Sequence, residues 1–73
     1  MLTLDDIQKI LAAVWNAPHT PSIISKGTKF ELSHPFGQTV EFDMKRSDLM
    51  LSAADFANKV LTPAVNDLRK AIA

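Results

Sequence analysis

Apolar residues recur along this chain with two different periods, and the changes of period divide it into elements. From the N-terminus, Leu4, Ile7, Ile10, Leu11, Val14 and Trp15 fall on one face of a helix. From Phe30 the period drops to two. Phe30 and Leu32 alternate with Lys29, Glu31 and Ser33, and Val40, Phe42 and Met44 alternate with Thr39, Glu41 and Asp43. Such alternation marks strands with one covered face. After Ser52 the helical period returns in Phe56, Val60, Leu61, Ala64, Val65, Leu68 and Ile72. The pattern predicts one domain over 1–73, with a helix over about 4–16, a β-hairpin over about 28–44 and a helix over about 53–72. The fold class is α+β in helix–β-hairpin–helix (αββα) order, with two helices packed on one face of a small antiparallel sheet.

The ends of these elements carry their own signals. "LTLDDI" and "LSAADF" share one template: a hydroxyl residue, Thr3 or Ser52, with an aspartate three positions on, Asp6 or Asp55. The hydroxyl can accept from the backbone N–H of the aspartate, and flanking Leu2 and Leu51 can staple onto Ile7 and Phe56. Pro18 ends the first helix near Asn16. Pro63 lies inside the second, where it removes the hydrogen bond to the Lys59 carbonyl. The apolar phase of Leu61, Val65, Leu68 and Ile72 passes through it unchanged, so one helix kinked at Pro63 is expected.

Between the strands, His34-Pro35-Phe36-Gly37-Gln38 suits a type I turn closed by a glycine bulge. That loop sets Leu32 opposite Val40, Phe30 opposite Phe42 and Lys29 opposite Asp43. It also sets Glu31 opposite Glu41, a like-charge pair that disfavours the register. Ile23 and Ile24 sit in the Pro-rich connector before the hairpin, either pinning it to the core or forming a very short strand.

Length changes the meaning of this pattern. A 73-residue chain buries only about 60% of its unfolded surface. The apolar arc of the second helix covers roughly 180°, against about 100° for an ordinary surface helix. Trp15, Ile23, Ile24, Phe36 and Met50 lie in loops or at element ends. This surplus points to a partner face made of Phe36, Trp15, Ile23, Ile24 and Met50, and to a homodimer or higher homo-oligomer. Phe36, an aromatic at a turn, is the natural anchor.

Charge and candidate chemistry narrow the function. Eight basic residues balance eight acidic ones, so the field that nucleic-acid binding needs is missing. A small phosphate-binding patch of Lys26, Lys29, Lys45 and Arg46 remains the alternative. There is no cysteine and there are only two histidines, so neither a disulfide nor a metal centre is expected. Ser33 and His34 are strand neighbours that point to opposite faces, which excludes a nucleophile–base pair. Gly27 and Gly37 are isolated and form no phosphate-cradling loop. No cofactor is implied. Nothing in residues 1–20 has the form of a signal peptide, and no apolar run spans a bilayer, so a cytoplasmic location is expected. The leading reading is a non-enzymatic protein-interaction module: an inhibitor, accessory or assembly factor of bacterial or phage type. In architecture alone, the helix–hairpin–helix order resembles small phage head–tail joining proteins. A ligand-binding protein or enzyme with a pocket near Pro63 at a subunit junction is the third reading.

Overall fold

The computed structural model describes residues 1–73. Helix α1 (Leu4–Trp15) opens on a reciprocal cap. The Asp6 N–H donates to Thr3 Oγ1 at 3.2 Å, and the Thr3 N–H donates to Asp6 Oδ2 at 3.0 Å. These bonds hold the Asp6 carboxyl below its ordinary pKa, the Thr3 backbone N–H first, then the Thr3 hydroxyl. Asn16 ends the helix in the left-handed conformation, its N–H on the Ala12 carbonyl at 3.1 Å.

The hairpin carries one strand more than the alternation announced. β1 (Ser22–Lys26), β2 (Lys29–Ser33) and β3 (Thr39–Asp43) form an antiparallel sheet in the order β1-β2-β3. Ile23 and Ile24 belong to β1, which contributes one apolar residue to each face and so lacks the period-two signature. Gly27, at φ 63°, opens the two-residue turn from β1 to β2 in the glycine-first manner of a type II′ hairpin. The β2–β3 register is the expected one: Phe30 opposite Phe42, Leu32 opposite Val40, Lys29 opposite Asp43 and Glu31 opposite Glu41. The like-charge pair is relieved from β1, where Lys26 Nζ lies 2.9 Å from Glu31 Oε2. That hydrogen bond and charge raise the Lys26 pKa.

The polar stretch "KRSDLM" forms a 3-10 helix over Arg46–Met50. It is tied to the N-terminus by the Leu2 N–H on the Leu49 carbonyl at 2.8 Å. The C-terminal rod is helical throughout: α2 (Ala53–Phe56), a π-helical segment (Ala57–Leu61) and α3 (Thr62–Ile72). Pro63 accounts for the middle segment. A proline has no N–H and its ring clashes with the carbonyl four residues back; widening the preceding turn relieves the clash. Thr62 completes it by sending its N–H and its hydroxyl (2.8 Å) five residues back to the Ala57 carbonyl.

Both helical rods lie on one face of the sheet. Ile7, Leu11 and Trp15 from α1, Ile23, Leu32, and Phe56, Leu61, Ala64, Val65 and Leu68 from the rod make one core. β3, β2 and α1 cover much of the arc of the rod that looked surplus, while β1 packs against α1. The start of the outer edge of β1 is covered as well. The Gln8 carboxamide on α1 accepts from the Ile23 N–H and donates to the Pro21 carbonyl, both at 3.0 Å, and so stands in for a neighbouring strand.

Candidate functional site

The β2–β3 turn meets the C-terminal ends of α1 and α3, and the open cleft between them holds the aromatic and imidazole groups. It has a volume of about 360 Å³ and is lined by Trp15, Pro18, His19, His34, Phe36 and Arg69, with the end of α3 closing one side. Each side chain is placed by a local rule. Trp15, in the last turn of α1, donates from Nε1 to the Pro18 carbonyl at 3.0 Å and fixes the chain that leaves the helix. His19, at φ 65°, holds a left-handed backbone conformation.

The turn itself is rigid. The His34 N–H donates to the Gln38 carbonyl at 2.8 Å, and the Gly37 N–H to the His34 carbonyl at 2.9 Å. The Phe36 N–H donates to His34 Nδ1 at 3.2 Å. The neutral His34 ring therefore carries its proton on Nε2. That ring is 5% exposed, with Trp15 at 5.6 Å and Phe36 at 5.0 Å between ring centroids. His19 also packs on Phe36, at 4.7 Å, with its ring 6.4 Å from that of His34. Held this way, Phe36 remains 66% exposed.

Arg69 gives the cleft its charge. Nη2 donates to the Trp15 carbonyl at 2.7 Å, and the guanidinium lies 5.1 Å from the centroid of the Trp15 ring. α1 has no basic residue in its last turn. Arg69 supplies that cation from α3, where the negative end of the α1 dipole favours it. The only ion pair in the chain is Lys26–Glu31, so Arg69 has no carboxylate partner, and the cleft is lined by no acidic side chain. Nothing in the local sequence around Arg69 announces this role. The signal available was an α1 that ends without a base of its own.

The other sequence candidates are dispersed. Trp15 is 6% and Ile23 8% exposed; both are core residues of the single chain, because Trp15 sits under Arg69 and Ile23 faces inward from β1. Trp15 nonetheless lines the cleft. Ile24 projects from the outer sheet face, and Met50 is exposed in the 3-10 helix, next to Leu49, whose carbonyl holds the Leu2 N–H. Lys26, Lys29, Lys45 and Arg46 lie toward the sheet end opposite Phe36. There Lys26 is paired with Glu31, and Lys29 stands across from Asp43. A second groove of about 300 Å³ forms beneath β3 beside Pro63, within one chain, with Phe42, Val60 and Pro63 as its floor. No group of acidic or imidazole side chains is arranged to hold a metal ion, and no helix is long and apolar enough to cross a membrane. In comparisons with protein-family models, curated proteins and solved structures, nothing matches this chain.

Proposed function

We propose that this chain is a non-enzymatic protein-interaction module, an inhibitor, accessory or assembly factor, that docks on a protein partner through its Phe36 end. One observation carries the reading: Phe36 is two-thirds exposed on a turn whose backbone is already locked. An aromatic presented at no ordering cost is what an interface anchor requires. Arg69 extends the same surface with a cation that makes no ion pair in the chain, so the matching segment on the partner joins an apolar residue to a carboxylate. His34 supports this use of the site, since its Nδ1 is committed to the turn and its ring is a wedge under Phe36.

The test is site-directed photo-crosslinking in the host cell. A photoreactive phenylalanine analogue placed at Phe36 should yield a discrete adduct with another protein. The same analogue at exposed Ala13 or Lys70 should not. Equal labelling at all three positions, or none at Phe36, overturns the reading.

A further inference from the structure

The two edges of the sheet are not equivalent. The His34 N–H bonds the Gln38 carbonyl, so in the β2–β3 ladder the hydrogen-bonded pairs are Leu32–Val40 and Phe30–Phe42. Thr39, Glu41 and Asp43 therefore turn their N–H and C=O groups away from β2. Gln8 fills the corresponding positions at the start of β1. No backbone or side-chain group of the chain does so along β3. We propose that β3 receives an extended segment of a partner protein as a fourth strand, one in which basic residues alternate with apolar ones.

Charge and shape select that segment. Glu41 and Asp43 point to the open face of the sheet, where Lys or Arg on an added strand would stand beside them. Val40 and Phe42 are half-buried on the other face, above the groove floored by Val60 and Pro63, which takes the alternate apolar side chains. Asp48 and Asp67 on the groove wall, against the single cation Lys59, favour a basic residue there too. A second copy of this chain is a poor occupant. Antiparallel pairing of two β3 strands about Glu41 sets the two Glu41 carboxylates face to face, and about Phe42 it sets Glu41 against Asp43 twice. This surface is separate from the Phe36 cleft, so the inference stands or falls independently of that docking site.

The experiment uses the full chain and a synthetic peptide of alternating lysine and valine, with a glutamate-for-lysine peptide as control. Amide exchange is read residue by residue by NMR. The lysine peptide should slow exchange at Thr39, Glu41 and Asp43 and leave Ile23 unchanged; the glutamate peptide should do nothing. Reversing charge with Glu41→Lys and Asp43→Lys together should weaken the lysine peptide about tenfold or more, while Phe36→Ala leaves its affinity unchanged. Asp43→Lys sets a cation across from Lys29, so the fold of the double variant is checked by its amide spectrum; Glu41→Lys alone, which ends the Glu31–Glu41 like-charge pairing, should weaken the lysine peptide in the same direction. Three results overturn the proposal: no binding at millimolar peptide, binding without protection of those three amides, or concentration-dependent protection in the absence of peptide.

Discussion

Replacing Gln8 with alanine removes a strand surrogate rather than a surface side chain, and its cost follows from the geometry. Two part-buried hydrogen bonds of 3.0 Å are lost, one from the Ile23 N–H and one to the Pro21 carbonyl. Each such bond contributes about 0.5–1.5 kcal/mol net, and a donor left unsatisfied costs about 1–3 kcal/mol. A loss of about 2 kcal/mol is expected, out of a total of roughly 4–11 kcal/mol for a domain of this size. That corresponds to a fall in Tm of about 8–16 °C. Urea denaturation measures the free energy, and amide exchange at Ile23 reports the site, which should lose its protection before the rest of β1. Gln8→Glu retains the acceptor for Ile23 but sets a carboxylate against the Pro21 carbonyl, so it should recover no more than half of the loss. A Gln8→Ala change within about 0.5 kcal/mol of the parent would refute the clamp.

Phe36→Ala should cost less than about 1 kcal/mol in urea denaturation, since most of the ring is already in water, whereas fully buried Phe56→Ala should cost about 3–5 kcal/mol. Arg69→Gln should cost about 1 kcal/mol, by loss of the Trp15 carbonyl bond and the ring contact, with the difference narrowing in high salt. The Asp6 pKa is lowered by the cap, so its contribution is fully present above the ordinary carboxylate range and is lost as pH falls through the folded value. Asp6→Asn, which removes the titrating carboxyl, should flatten that part of the acid stability profile in pH-dependent denaturation, and an unchanged profile would show that the cap adds no pH dependence.

Where one local rule decides the outcome, the sequence was sufficient. The Thr3–Asp6 cap and the Pro35-Phe36-Gly37 turn are such cases, and the turn length alone imposes the register from Lys29–Asp43 to Leu32–Val40. Ser52 shows the limit of the template: it accepts from the Asp55 N–H at 3.2 Å, but Asp55 makes no return bond. What stayed hidden depends on contacts distant in the chain. β1 has only five residues and one buried position, so its identity as a strand comes from pairing with β2. Without β1, the relief of Glu31 by Lys26 could not be seen. The π segment required knowing how the chain accommodates Pro63. The cleft was half legible. Phe36 announced itself by its place in a turn, whereas Arg69 reaches Trp15 across a separation of 54 residues that no local pattern encodes.

The reading of this chain as a docking module rests on Phe36 acting outward. Its most direct test is the affinity of the parent and of Phe36→Ala for the partner identified by crosslinking, measured by titration calorimetry with the folded fraction of both proteins matched. An anchor residue contributes about 2 kcal/mol or more, so the account predicts a loss of about thirtyfold or greater. Affinities within about twofold of each other would contradict it.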